Sequence, residues 1–264
     1  MSLYYLFNLV ANPNVTNVQA YISLNMSDQE TLESESPTVV ENPTAGFTEA
    51  LNLIMERLAS LESRIDSSHN VHVHSTPSAP KKNIKKKYNK PGDVFLGTIH
   101  RLDRPTSGIV LYARTSKALS RMNEQFREKK VQKTYWAVVD NAPPNSSGTL
   151  DNHLQKNQKQ NKSYVTKTDG GKHAVLEYKL IKKLDNFYHL EIKPKTGRHH
   201  QIRVQLANIG CIIKGDLKYG ARRSNKDASI HLLAQKLEFI HPVKKEPITI
   251  TAPAPKDSVW EACS

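Results

Sequence analysis

The stretch HRLDRPTSG, residues 100–108, carries one carboxylate, Asp103, between Arg101 and Arg104, with Pro105 and Gly108 close behind. Such a run suits neither a helix nor a strand. Pro105 pushes Arg104 into an extended conformation, Gly108 permits a turn that other residues resist, and Thr106 and Ser107 can bond local backbone groups and stiffen the loop. An adjacent cation favours the ionised form of a carboxylate. Ionised, oriented and partly solvated, such an acid is a usable nucleophile or base. The same residues would also make a purely structural Asp–Arg ion pair, and local chemistry leaves both readings open. A two-carboxylate glycoside hydrolase is not expected, because no second acid is equally placed.

The elements that must hold this loop follow it in the chain. Ile109 to Ala113 reads as a buried strand. Ser116 is the expected N-cap of a helix over 117–130, with Leu119, Met122 and Phe126 on one face. KTYWAVVD, from Lys133, is β-rich. HAVLEYKLIKKLDNFYHLEIKP reads as two strands joined at Asp185-Asn186. RHHQIRVQLANIG, from Arg198, reads as a helix with Ile202, Leu206 and Ile209 inward and Gly210 at its C-terminal end. SIHLLAQKLEFIHP and EPITITAP add two strands. Strands outnumber helices and hairpins recur, so the expected class is α+β, with helices packed on a mainly antiparallel mixed sheet.

The chain has 264 residues and 38% hydrophobic content, low for a chain of this length to be globular throughout. Residues 1–80 hold 2 Lys/Arg against 9 Asp/Glu, net −7, and residues 81–264 hold 36 against 16, net +20. An acidic appendage on a strongly basic domain fits either a polyanion partner, most often nucleic acid, or simply a solvated basic surface, and charge alone leaves both open. Residues 1–48 are read as disordered. Residues 49–66 carry a short heptad seam, Leu51, Ile54, Leu58, Leu61 and Ile65, which allows weak self-association or docking on the chain's own domain. Residues 67–92 read as a linker, 93–255 as a globular domain and 256–264 as a tail. His69, His72 and His74 have no Cys or acid beside them, so no metal is expected. Two cysteines without a framework fit a reducing compartment. No apolar run is long enough to span a membrane, and the N-terminal apolar stretch lacks the basic start of a secretion signal. The expectation is a cytoplasmic protein.

HRLDRPTSG resembles the catalytic signature of the RluA-type pseudouridine synthases, which isomerise uridine in ribosomal and transfer RNA. KTYWAVV at 133–139, TGRHHQIRVQLANIGCIIKGDLKYG at 196–220 and HLLAQKLEFIHPVKKEPITITAPAP at 231–255 resemble the family's later motifs in the same order. The resemblance implies the pseudouridine synthase fold and an isomerisation without cofactor or metal. It implies that Asp103 acts on the ribose, as a nucleophile at C1′ or a base at C2′. By the same token Arg203 pairs with Asp103, Tyr135 stacks on the target base and takes part in proton removal at C5, and Ile202 lines the base pocket. Arg101 enters the RNA stack when the uridine is flipped out. RNA, ribosomal or transfer, is the implied partner. Lys133 and Arg198, with Lys129, Lys130, Lys214, Lys218, Arg222 and Arg223, are candidate RNA contacts on the basic domain.

The chain departs from the family at its start. NKPG at 89–92 stands too near Asp103 to be the opening motif, and the opening strands of the sheet are expected to be missing. Missing strands would leave sheet edges unpaired. The alternative is therefore a non-catalytic RNA-binding remnant of the same family.

Overall fold

The central strands of one sheet are buried on both faces, and strand WAVV shows why. In the computed structural model the described residues are 95–167 and 170–263, with 19–24 as backbone only. The chain divides into two units, Met1–Met26 with Ser75–Ser264, and Ser27–His74, and the described residues belong to the first. The helix expected over 49–66, the linker 67–92 and its histidines lie outside the described residues.

In chain order the elements are β1 (Gln19–Leu24), β2 (Gly97–Thr98), β3 (Ser107–Ala113), α1 (Ser116–Arg127), β4 (Gln132–Val139), β5 (Ser147–Asn157), β6 (Lys162–Thr166), β7 (Lys172–Lys183) and β8 (Tyr188–Pro194). Then come α2 (Gln201–Asn208), a 3₁₀ turn at Leu217–Tyr219, β9 (Leu232–Ile240), β10 (Pro247–Thr251) and α3 (Ser258–Glu261). The strands form one sheet in the order β1-β3-β9-β4-β8-β7-β5-β6, with β10 also on β9 and β2 on β3. The β1–β3 and β3–β9 pairs are parallel and all others antiparallel. The sheet is mixed and mainly antiparallel, with helices packed on it, as the sequence predicts.

Along β4, Val138 joins one core with Ile109, Leu111, Met122 of α1, Leu233 and Trp260 of α3. Its neighbours Ala137 and Val139 join the other, with Leu176, Leu190, Ile192 and, from α2, Ile202 and Leu206. Side chains alternate across a strand, so a strand buried on both faces has a continuous apolar run. β7 has one wet face: Ala174, Leu176 and Tyr178 are buried, while His173, Glu177 and Lys179 are exposed.

Several expectations shift. The N-cap of α1 is Thr115, one residue before Ser116, with Oγ1 accepting from the Ala118 N–H at 3.1 Å. The helix ends at Arg127 rather than 130, since Lys129 turns left-handed at φ 58°. The expectation of disorder over 1–48 is narrowed, because Gln19–Leu24 runs parallel to β3 in register with Gly108–Ala113. It also supplies a strand beside β3, where the opening strands were expected to be missing. Ala20, Ile22 and Leu24 recur at the strand period, a signal diluted by the polar residues around it. The tail at 256–264 contains α3, capped by Asp257, whose side chain accepts from the Val259 and Trp260 N–H groups. Buried Trp260 docks it against the core.

Candidate active site

The loop before β3 is pinned at both ends by groups that need no side-chain freedom. The His100 Nε2 accepts the Leu111 N–H at 3.1 Å and its ring stacks on Phe126 at 5.1 Å. Burial first, then the charge of Lys133, lowers its pKa to about 4, so the imidazole stays neutral and keeps its acceptor. The Thr106 N–H closes a turn onto the Asp103 carbonyl at 2.9 Å, and the Ile230 N–H bonds the Pro105 carbonyl at 3.0 Å. Gly108 sits at φ 117°, where a Cβ would lie 2.3 Å from the Ala234 carbonyl oxygen. The glycine is required there by backbone conformation and by close approach to β9 together.

The Asp103 side chain is 30% exposed and faces α2. Arg203 Nη1 reaches Asp103 Oδ2 at 3.3 Å. The stronger partner of Arg203 is a residue that local sequence reasoning did not single out: Nε and Nη2 donate to Asp216 Oδ2 and Oδ1, each at 2.7 Å. Arg203 is 4% exposed and Asp216 1%. A buried carboxylate requires a paired, hydrogen-bonded partner, and the guanidinium fork supplies two parallel bonds. Burial opposes the charge on Arg203, but the bonds and charge of Asp216, then those of Asp103, outweigh it and hold the pKa above the ordinary value. Arg203 therefore meets Asp103 from an already fixed position. The KGDLKYG motif held the clue, an acid before a turn, but only spatial proximity identifies its partner.

Across the cleft, Tyr135 lies beside a register shift between Thr134 and Tyr135 in the β4–β9 pairing. Such bulges re-aim side chains beside functional sites. Burial, with the charge of Asp103, raises the Tyr135 hydroxyl well above its ordinary pKa, so it is a neutral hydroxyl at pH 7. Ile202 is buried on the α2 side. Lys133 is partly buried, which lowers its ammonium pKa. Arg198 is exposed and bonds the His173 carbonyl through Nε at 2.8 Å. Arg101 is exposed.

Asp103, Tyr135, Arg203, Arg101, Ile202, Arg198 and Lys133, spread over more than 100 residues of sequence, line one cleft of about 320 Å³. Lys129, Lys130, Lys214, Lys218, Arg222 and Arg223 do not line it. Lys214 instead bonds Asn225 Oδ1 at 2.8 Å, and Lys218 bonds the Gln160 and Asn161 carbonyls. His200 and Gln201 also line the cleft, and sequence reasoning missed both. Among the described residues no group of three or more His, Cys, Asp and Glu is arranged to hold a metal ion. The cleft offers a fixed carboxylate, an aromatic wall and a cationic rim. That arrangement suits a flat base attached to an anionic backbone.

Comparison with known proteins identifies the family. The family model for RNA pseudouridylate synthase matches residues 67–208. Ribosomal large subunit pseudouridine synthase C of Buchnera aphidicola is 36% identical over 172 residues, 62% of this chain and 55% of that protein. An uncharacterized RNA pseudouridine synthase of Zymomonas mobilis is 37% identical over 160 residues, 60% of this chain and 73% of that protein. The solved structure of human RNA Pseudouridylate Synthase Domain Containing 1 superposes with a TM-score of 0.57 and 25% identity, over 69% of this chain and 77% of that one. The chain spans about half the length of several curated relatives it matches.

Proposed function

This chain belongs to the RNA pseudouridylate synthase family, of the RluA type, and we propose that it isomerises uridine to pseudouridine in structured ribosomal RNA, in the cytoplasm. The observation that carries the reading is the partly exposed Asp103 carboxylate, held toward the cleft by a buried arginine and facing Tyr135. The ribosomal assignment rests on relatives named as ribosomal large subunit enzymes. The strongly basic half of the chain suits the phosphates of a folded RNA.

In the reaction the C1′–N1 bond breaks, the uracil turns, a C1′–C5 bond forms, the C5 proton leaves for solvent and N1 takes up a proton. The change is redox-neutral and its atoms balance within the nucleotide and water. Asp103 acts on the ribose, at C1′ or C2′. Arg203 keeps it charged and aimed. Tyr135 and Ile202 hold the detached base between an aromatic and an aliphatic wall. Because Tyr135 is protonated at pH 7, it can take the C5 proton only by passing its own on. Arg101, exposed at the mouth of the cleft, fills the stack left by the flipped nucleotide, which costs about a few kcal/mol to extract. Lys133 and Arg198 hold the flanking phosphates.

RNA labelled with tritium at uridine C5 provides the test. Label release to water from ribosomal RNA by the wild type, stopped by Asp103→Asn, is the expected result. Release from transfer RNA alone overturns the ribosomal assignment. Salt-sensitive RNA binding by folded protein without release from either pool overturns catalysis and leaves a binding remnant.

A further inference from the structure

His200 belongs to no step above, yet it lies against the reacting carboxylate. It is the residue before α2, in the left-handed region at φ 53° and ψ 25°, a conformation in which histidine is enriched but still uncommon. Its side chain is 8% exposed. The ring stacks on His199 at 3.8 Å, Nδ1 lies 2.9 Å from the Tyr219 hydroxyl, and Nε2 lies 3.8 Å from Asp103 Oδ2.

The hydrogen bonds of Tyr219 bear on the ring's tautomer. Its hydroxyl accepts the Ser163 N–H at 3.0 Å, so its own proton has two acceptors in reach: His200 Nδ1 at 2.9 Å and the Ser163 carbonyl at 3.3 Å. Given to Nδ1, the shorter contact, the hydroxyl proton leaves the proton of a neutral imidazole on Nε2; given to the Ser163 carbonyl, it leaves Nδ1–H as a donor to the hydroxyl, and the first arrangement is taken here. Burial and the charges of Arg203, His199 and Lys218, against the opposing charge of Asp103, lower the pKa of His200 to about 4. The ring is therefore a neutral donor at physiological pH. The groups facing it are Asp103 on the loop, His199 beside it, Arg203 on α2, and Lys218 and Tyr219 on the 3₁₀ turn. Among the described residues, the side-chain contacts of Asp103 from Arg203 and His200 both converge on Oδ2, which leaves Oδ1 for the substrate.

We propose that His200 is a positioning residue for Asp103: with Nδ1 accepting from the Tyr219 hydroxyl, its Nε2–H donates to Oδ2, so that Oδ1 is the oxygen presented to the ribose. At 3.8 Å the contact is electrostatic in the free protein, beyond hydrogen-bond length. Contacts of this kind tighten when substrate binds. The inference rests on the proposed isomerisation for its kinetic consequence but not for its tautomer.

Two measurements on the full chain test it. The first is the pH profile of single-turnover label release for wild type, His200→Asn and His200→Gln. Asparagine accepts the left-handed backbone but is too short to reach Oδ2, whereas glutamine can restore a donor. Losing the donor is expected to move the acid limb of the asparagine variant to higher pH by about half a unit to one unit. Within the acid limb its rate should fall by about three- to tenfold, with little change in the RNA concentration that gives half the maximal rate, and glutamine should recover part of the shift and of the rate. An unmoved acid limb in a variant with a normal thermal melt overturns the proposal. The second is ¹⁵N NMR of histidine-labelled protein, with His200 assigned by difference from the asparagine variant. A neutral, Nε2-protonated ring at pH 6 supports the proposal, and a charged or Nδ1-protonated ring overturns it. Absence of label release from wild type with the expected tautomer counts against the isomerisation alone.

Discussion

Arg203 serves two carboxylates, and the protein treats them in opposite ways. Asp216 is 1% exposed and receives two bonds at 2.7 Å, while Asp103 is 30% exposed and receives one at 3.3 Å. The inner acid is saturated, so it anchors the arginine. The outer acid keeps an oxygen and part of its hydration, so it can react. One guanidinium thus separates structural from chemical work, because a fully bonded buried ion pair is held by the desolvation that would follow its breaking.

The sharpest way to break this contrast is to neutralise each acid in turn. Asp103→Asn is expected to lower label release at least about a thousand-fold, yet leave the urea-unfolding free energy within about 0.5 kcal/mol, because Arg203 retains Asp216. Asp216→Ala should do the reverse in kind. It strands a buried guanidinium and removes about 3–5 kcal/mol of stability, read as a fall in the denaturation midpoint. A stable Asp216→Ala protein would show that Arg203 needs no inner anchor.

Gly108→Ala probes the backbone under the outer acid. The new Cβ would press on the Ala234 carbonyl from a left-handed backbone, costing about 1–3 kcal/mol and shifting the loop, so both the melt and label release should suffer. Acid acts on the fold through the histidines near the outer acid. His100 and His200 have folded pKa values of about 4, below the ordinary 6.5. The unfolded chain therefore binds more protons between these limits. Their contribution to stability is fully present above pH 6.5 and is lost as pH falls through about 4, which urea titrations at stepped pH will register. Thr115→Ala gives the smallest effect. It removes the cap of α1, away from both acids, and costs about 1 kcal/mol with label release unchanged.

Much of this was legible in the residues. Pro105 and Gly108 set the loop, Ile109 to Ala113 read as a buried strand, and KTYWAVVD as β-rich. The hairpin at Asp185-Asn186 was visible for the same local reasons. The Arg203–Asp103 contact came from family resemblance, and the structure contains it as the weaker of two. Asp216, thirteen residues beyond Arg203, gave no periodic or turn signal of its partner. His200 looked like one of two adjacent polar residues entering a helix. The bulge at Tyr135 and the pairing of Gln19–Leu24 with β3 depend on strands far away in sequence.

The amino-acid sequence by itself determined what acts within a few residues: backbone restriction at Pro105 and Gly108, side-chain alternation, and the excess of cations after residue 80. Only the tertiary structure decided which carboxylate is buried, which arginine bond is short, and which groups stand against His200. Desolvation and hydrogen-bond competition are properties of a filled space, and chain segments separated by up to 100 residues must meet before that space exists.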